Sequence, residues 1–472
     1  MSLVSILPEL VLLVGAVALL PLVLFFPWRL QTLAAHYSLL VLALSGAFSV
    51  AMLGDPQGST FFGTYSVDDS AVWGKLIILA VTMLTVALSY HWFDGDKRRG
   101  EYYVLLLMGA LGGIILAGMT DLMELVLGIL LTSATGYVLT AYHRASARSG
   151  EAAIKYYLLG ALTNGFMVYG VVLLFALAGT TVLGTMRADL SGGDPFALIV
   201  AVALIAMGLA FKLGAVPAHA WMPDVADGAP APVAAFLTAA PKIGALIALA
   251  RLVAVFPESQ VGWRPLVAVL AAATMTVGNL AALRQEDVRR LLGWSSVSQS
   301  GYALMAVVAL GRSDLAVPSL LFFLLAYALG NMAAFGVVTE LRGLADRSRY
   351  AGLSRARPWL SFVLLIAFLS FIGIPPLAGF TGKLALFGAA IQSGYTWLAV
   401  VAIINTALSI AYYARVIGPV YFSTSEPGLT MPVALGPWAR VGAVVPGLLL
   451  ILLGILAEPL FHSFFSARLL PW

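Results

Sequence analysis

The stretch Met207-Gly-Leu-Ala-Phe-Lys212-Leu-Gly-Ala-Val-Pro217-Ala-His219-Ala-Trp221-Met-Pro223-Asp224 decides how this chain folds. It continues an apolar run that begins near Pro195, yet it carries a lysine in the run and a proline five residues further on. Proline has no backbone N–H, so a helix entering this stretch cannot keep its hydrogen-bond ladder and leaves carbonyl groups free. Inside a membrane such backbone is tolerated only where protein or a water-filled cavity satisfies it. The reading is a membrane helix that breaks at depth, with an amine beside the break.

The rest of the chain agrees with a membrane setting. Of 472 residues, 61% are hydrophobic and 10% charged, against roughly a quarter charged in a soluble domain. Mean hydropathy is +0.98. A helix needs about 20 mostly apolar residues to cross the hydrocarbon core. Fourteen segments meet that template, at 9–26, 34–53, 71–92, 102–119, 121–142, 153–178, 195–216, 230–255, 264–283, 288–310, 315–340, 358–391, 396–422 and 437–460. The twelfth is overlong and holds a Gly/Pro-rich stretch, which predicts a second broken helix. The first lacks the basic start and small-residue cleavage site of a signal peptide, so it is expected to remain a membrane helix. No linker-like composition divides the chain, and 1–472 reads as a single integral membrane domain.

Charge supports this count. Lys and Arg accumulate on the cytoplasmic side of a membrane protein. Loops after odd-numbered spans hold seventeen basic residues, among them Arg29, Lys97 to Arg99, Arg284, Arg289, Arg290 and the arginines from 342 to 357. Opposite loops hold five: Arg187, Arg251, Arg264, Arg312 and Arg468. Both termini are therefore expected outside a bacterial-type cell membrane, and the net charge of +4 reflects topology without implying a nucleic-acid surface. Cysteine is absent, which excludes disulfides, iron–sulfur clusters and thiolate metal sites. The five histidines are scattered, so paired haem ligands are not expected, nor is any redox centre, cofactor or metal on this chain.

Four lysines lie inside spans. An ammonium near the bilayer centre costs at least ~2.5 to 3.5 kcal/mol, so each needs a partner, water or a use. Lys75, about one turn from its span's end beside Trp73, is expected to snorkel to the interface. Lys242 sits too deep for that, in Pro232-Val-Ala-Ala-Phe-Leu-Thr-Ala-Ala-Pro241-Lys242-Ile-Gly. Lys383 follows Gly373-Ile-Pro375-Pro376-Leu-Ala-Gly379-Phe-Thr-Gly382. Lys212 and Lys383 thus adjoin broken helix, a pointer to ion sites in transporters. A desolvated lysine beside water can gain and lose a proton, and Lys212, Lys242 and Lys383 are the candidate proton-transfer residues. The competing role is to pin one helix to a neighbour's carbonyl. His219 is a weaker candidate, as a relay at the end of the seventh span, and Glu124 another, early in the fifth. Ser295, Ser296, Ser298, Gln299 and Ser300 could order water or simply bond across helices.

At these residues a resemblance becomes specific. Ala210-Phe-Lys212-Leu-Gly-Ala-Val-Pro217-Ala-His219-Ala-Trp221-Met-Pro223-Asp224-Val with Gly228-Ala-Pro230-Ala-Pro232-Val resembles the antiporter-like membrane subunits of respiratory complex I, the N type above all. Ile154 to Tyr157, Gly278 to Gln285, Arg290 to Ser296, Tyr327 to Asn331, Gly373 to Lys383 and Ser409 to Arg415 extend it over roughly residues 120–420. The resemblance implies an all-α polytopic fold of about fourteen helices, with two inverted five-helix repeats (102–255 and 264–422) between helices 1–3 (9–92) and a C-terminal helix (437–460). Helices seven and twelve would be broken. It implies a proton-translocating subunit of an NADH (or ferredoxin):quinone oxidoreductase, with lysines matching Lys212, Lys242 and Lys383 on a hydrated polar chain. Quinone, FMN and iron–sulfur clusters would belong to other subunits, and the partners would be the neighbouring membrane subunits and lipid.

One position departs from the family. A glutamate is usual in the fifth helix, in Gly-x-Glu-x-x-Ser, paired with the seventh-helix lysine; here the stretch is Gly128-Ile-Leu130-Leu-Thr132-Ser133. Glu124, six residues earlier, points to another face. Lys212 is then tuned by another acid or by water, or the coupling is altered, or the subunit is a non-pumping scaffold. A component of a multisubunit cation/proton antiporter is the further alternative, which the scarcity of mid-span carboxylates disfavours.

Overall fold

Apolar helices, several closed at the start by a short polar side chain, build the structure, a computed structural model that describes residues 3–25, 27, 30–54, 58–190, 194–424 and 432–470. Asp68, Asp121, Ser146, Asp194 and Asp287 each accept from a backbone N–H two or three residues ahead, satisfying donors that a helix start leaves unpaired. Arg29, one of the loop arginines, lies outside the described residues.

In chain order the helices are α1 (Leu7–Phe25), α2 (Leu33–Ala51), α3 (Asp69–Ser89), α4 (Arg99–Gly118), α5 (Leu122–Thr140), α6 (Ala147–Ala178), α7 (Leu183–Asp189), α8 (Pro195–Leu213), α9 (Trp221–Gly228), α10 (Ala231–Leu237) and α11 (Ala240–Val255). Then come α12 (Glu258–Val261), α13 (Trp263–Ala282), α14 (Val288–Ala309), α15 (Ala316–Glu340), α16 (Leu353–Ala356), α17 (Pro358–Ile372), α18 (Ala378–Gln392), α19 (Thr396–Phe422), α20 (Pro437–Ile455) and α21 (Ala457–Phe465). A small antiparallel hairpin, β1 (Gly58–Thr60) and β2 (Tyr65–Val67), joins α2 to α3.

Among the described residues, twelve helices are long and apolar enough to span a membrane, counting α10 and α11 together. The two other expected spans differ for physical reasons. The tenth, α14, has the length but carries Arg289, Arg290 and a run of polar residues. The twelfth is two helices, α17 and α18, of 15 residues each; each covers only about 22 Å at 1.5 Å per residue, short of the hydrocarbon core. The α10–α11 pair and α15 are the most enclosed spans, while α1, α2, α6, α19 and α20 form much of the outer wall.

The seventh span breaks as expected, into α8 and α9. The eighth, expected as one run at 230–255, is interrupted as well, at Thr238 and Ala239. Pro241 explains this: lacking an N–H, it cannot bond back to the preceding turn, and the helix restarts around it. All three deep lysines therefore adjoin interrupted helix.

Lys75 does not snorkel. Its side chain is fully buried and its Nζ lies 2.5 Å from Glu9 Oε1, with the Tyr65 ring 5.2 Å away. Tyr65 also donates its hydroxyl to the same carboxylate oxygen at 2.6 Å. Arg251 and Arg264, counted above with loop residues, are buried too. Arg251 grips Asp68 with both terminal nitrogens, at 2.7 and 2.8 Å, and donates to the carbonyls of Ala117 and Leu469. Arg264 pairs with Glu258. These ion pairs fasten the ends of α1, α3, α11 and α13 opposite the arginine-rich loops.

Removing one member of a buried pair leaves an uncompensated charge, at a cost of about 3–5 kcal/mol, whereas replacing both by apolar groups is often neutral. Lys75→Met alone is therefore expected to lower the thermal midpoint of the assembled protein clearly, and Glu9→Leu/Lys75→Met to restore it. Scanning calorimetry or thermal-shift measurement on the three forms checks this.

Candidate functional site

The break after α8 is built from its own residues. Gly214 takes a left-handed conformation (φ 64°) that ends the helix, and Ala215 N–H donates back to Ala210 at 2.7 Å. Val216 N–H, set free before Pro217, donates to Thr274 Oγ1 at 3.1 Å. The indole of Trp221 donates to the Phe211 carbonyl at 2.8 Å and stacks on Tyr156 at 4.2 Å. The orphaned backbone groups thus find side chains, as an apolar medium requires.

Lys212 lies in the last turn of α8, where the helix dipole favours a cation. It is 1% exposed, and its Nζ donates to Ser133 Oγ at 2.8 Å. Asn164 Nδ2 lies 3.4 Å from the same hydroxyl, and the Phe211 ring is 5.7 Å from the amine. Lys242, also 1% exposed, sits in the first turn of α11, where the dipole gives no such help. Its Nζ donates to Ser296 O and Oγ, both at 2.7 Å, and to Tyr327 Oη at 3.4 Å. The hydroxyl of Tyr327 in turn donates to the Thr238 carbonyl at the helix interruption.

Lys383, 3% exposed, closes the second break. α17 ends at Gly373 (φ 91°), and the Lys383 ammonium donates to the last-turn carbonyls of Phe371 (2.7 Å) and Ile372 (3.2 Å). An amine thus replaces the missing backbone donors at the negative end of a helix. The Tyr302 ring lies 4.1 Å from it, and Thr406 Oγ1 is 3.5 Å away. Among the described residues, the ion pairs that involve lysine are those of Lys75 and Lys155; the three deep lysines are held by hydroxyls, carbonyls and aromatic faces.

The other candidates are placed apart. His219 is half-buried in the first break, its ring 5.5 Å from Trp294 and its Nδ1 without a partner. Glu124 lies in the first turn of α5, in contact with Thr64 and the backbone of Thr120, with Asp121 and Glu9 as charged neighbours. It belongs to the end of the molecule that holds the Lys75 pair, and it is not among the partners of Lys212. Leu130 is 44% exposed and shares an outer stripe of α5 with Met123, Leu127 and Val138. A carboxylate there would stand on the lateral surface, while the inner face presents Ser133 to Lys212. Ser296 and Tyr327 escaped the sequence reading as lysine partners; the Ser-rich start of the tenth span and the Tyr327-to-Asn331 motif were the available signals.

Buried amines set at helix interruptions in a polytopic bundle define a class of membrane proteins that move ions or charge. A family model described as NADH:quinone oxidoreductase/Mrp antiporter, TM, matches residues 119–409. NADH-quinone oxidoreductase subunit N 1 of Streptomyces griseus is 43% identical over 96% of this chain and 95% of its own length. Subunit N of Trichlorobacter lovleyi is 36% identical over 94% of both chains. Among solved structures, a chain of respiratory complex I from Thermus thermophilus with bound aureothin superimposes with a TM-score of 0.84 at 33% identity, covering 98% of this chain and 100% of that one. A chain of the Mrp complex from Dietzia shares the fold, with a TM-score of 0.85 at 21% identity over 99% and 97% of the two chains. The chain belongs to the NADH-quinone oxidoreductase subunit N family.

The two faces of α5 can be told apart with a photoactivatable side chain that inserts into neighbouring C–H bonds: benzoylphenylalanine in place of Leu130 is expected to cross-link to lipid or to a neighbouring subunit in native membranes, and in place of Ser133 only within this chain. Equal cross-linking outside the chain from both positions would show that the faces are misassigned.

Proposed function

We propose that this chain is a proton-translocating membrane subunit of a complex I-type NADH (or ferredoxin):quinone oxidoreductase, in which Lys212, Lys242 and Lys383 gain and lose protons as electrons pass elsewhere in the assembly. The observation that carries this reading is the shared setting of the three lysines: each is buried, each adjoins an interrupted helix, and each is held by groups that leave it no fixed counter-charge. An ammonium locked to a carboxylate is held charged by its partner. One held by hydroxyls and carbonyls can exchange its proton with those hydroxyls or with water at modest cost.

Quinone, FMN and iron–sulfur chemistry are assigned to other polypeptides, and the partners are the adjoining membrane subunits and lipid. The arginine-rich loops support a cytoplasmic location for their side of the bundle, with both termini outside. His219 then serves as a relay at the first break, and Glu124 as a group near the outer end. The matching interruptions α8/α9 and α17/α18 support two inverted five-helix repeats, 102–255 and 264–422, within a single membrane domain of 1–472. The antiporter-component alternative draws support from the breadth of the family model and from the shared fold, and the described residues offer no group of three or more His, Asp or Glu that could hold a cation.

The experiment is a pumping measurement on the intact complex in proteoliposomes. Lys212→Met and Lys242→Met are expected to assemble normally and to cut proton uptake and coupled quinone reduction to well under half. Normal pumping in both would leave a scaffold role and overturn the proposal.

A further inference from the structure

α15 ends in a carboxylate that the packing encloses without pairing. Glu340, the last residue of the helix, is 1% exposed, and neither carboxylate oxygen has a hydrogen-bond partner among the described residues. Its polar neighbours are the Leu435 backbone and the guanidinium groups of Arg342, Arg357 and Arg440, yet none of the three arginines comes within 4.0 Å of it as an ion pair. Arg342 and Arg357 instead direct donors to the chain that leads into α20, at the carbonyls of Val433 (3.3 Å) and Pro432 (3.1 Å). A buried carboxylate beside arginines that do not close on it is strongly destabilising. A ligand carrying both signs of charge relieves it.

These groups share a cavity. Glu340, Arg357, Arg440 and Trp359 line a space of about 220 Å³ where α15 ends and α17 and α20 begin. Trp359 is 73% exposed at its rim, and tryptophan is favoured at the headgroup level of a bilayer. An exposed apolar lane runs from there into the span. Val441, Val445 and Leu448 succeed Arg440 on α20 at helical spacing, and Phe362 follows Trp359 on α17. The two helices lie side by side, since a Cβ on Gly447 would meet Val363 Cγ1 at 3.3 Å.

The ligand chemistry follows from these three parts. The unpaired carboxylate takes a positively charged N–H donor. Two arginines take a phosphate, which guanidinium groups bind in a bidentate fork. The lane below the tryptophan takes an acyl chain. A primary ammonium and a phosphate joined by a short linker, on a diacylglycerol, meet all three. A purely anionic headgroup would bring a second negative charge to Glu340, and a quaternary ammonium has no N–H to donate.

We propose that this cavity binds the headgroup of an aminophospholipid of the phosphatidylethanolamine type, with its ammonium on Glu340 and its phosphate between Arg357 and Arg440. The assignment stands independently of the proton-translocation reading. In the test, the intact complex sits in nanodiscs of phosphatidylcholine with a small fraction of phosphatidylethanolamine that bears a photoactivatable diazirine on one acyl chain. Adducts on this chain are mapped by peptide mass spectrometry. Labelling is expected on α17 and α20 beside the cavity. Replacing part of the phosphatidylcholine by unlabelled phosphatidylethanolamine is expected to remove it, and replacing the same part by phosphatidylglycerol to leave it. Glu340→Gln, which keeps the shape and removes the charge, is expected to cut this labelling about tenfold, the size of one lost charge-assisted hydrogen bond.

Equal competition by both lipids, or equal labelling of the variant, shows an unselective lipid coat and overturns the proposal. A wild type without adducts on α17 and α20 overturns it too, because a neighbouring subunit then covers the cavity. If soluble glycerophosphoethanolamine competes as well as the lipid does, the cavity takes its ligand from solution and the lipid assignment falls. Should Glu340→Gln fail to assemble, Arg440→Gln decides, since that side chain is exposed: loss of the same adducts supports the site, and unchanged adducts overturn it.

Discussion

A peptide group stripped of its helical partner and surrounded by hydrocarbon costs several kcal/mol, and this chain interrupts its helices at Gly214 to Pro217, at Thr238 to Ala239 and at Gly373 to Pro376. Everything at its centre follows from satisfying those interruptions. The indole of Trp221 and the hydroxyls of Thr274 and Tyr327 meet some of the freed groups. Lys383 meets others directly, as the donor to two carbonyls at the end of α17. The amine and the break stabilise one another: the carbonyls and the helix dipole make a place for a cation, and the cation closes a helix end that lipid could not.

That mutual dependence separates two populations of buried charge. Lys75 and Arg251 bond to carboxylates at the end of the bundle away from the arginine-rich loops, and there they act as braces. Lys212, Lys242 and Lys383 bond to neutral groups at the interruptions. A brace gains from a fixed partner, because an unpaired charge in its place would be strongly destabilising. A group that changes charge during work gains from the opposite arrangement, in which hydroxyls and carbonyls accept bonds from the cation without binding it to one state. The burial of all four lysines is similar, and what separates Lys75 from the other three is the chemistry of the partner.

Much of this was legible in the residues. Pro217 and the Gly373-to-Pro376 run announced two broken helices, since neither proline nor repeated glycine sustains a helix in an apolar span. The interruption beside Lys242 is not legible in the same way, because Pro241, a single proline among alanines, reads equally as the start of a helix turn, and only the three-dimensional path shows that the chain restarts there. Lys75 reads in sequence as a snorkelling residue because it lies near a span end with no local carboxylate, and its partner Glu9 lies on another helix, far back in the chain. Ser133 stood within the family pattern beside Leu130, yet sequence spacing alone cannot say which of the two faces Lys212.

The geometry of α5 recasts the departure at Leu130. A carboxylate at this position would stand on the outer stripe, with Met123 and Leu127, where lipid or a neighbouring subunit meets the chain. Its replacement by leucine removes a charge from the lateral surface and leaves the hydrogen bond between Lys212 and Ser133 intact. The substitution therefore bears first on what passes between this chain and a neighbour, and only second on the amine inside. Within the chain, α14 lies against the surroundings of all three lysines, with serines toward two and an amide toward the third. A helix that must stay buried yet carries four hydrogen-bonding side chains on adjoining stripes bears a desolvation cost on each unless each is paired. Ser295, Ser296, Gln299 and Ser300 are all paired here, while the Ser298 hydroxyl is buried without a partner, and through the paired four α14 touches the surroundings of all three interruptions.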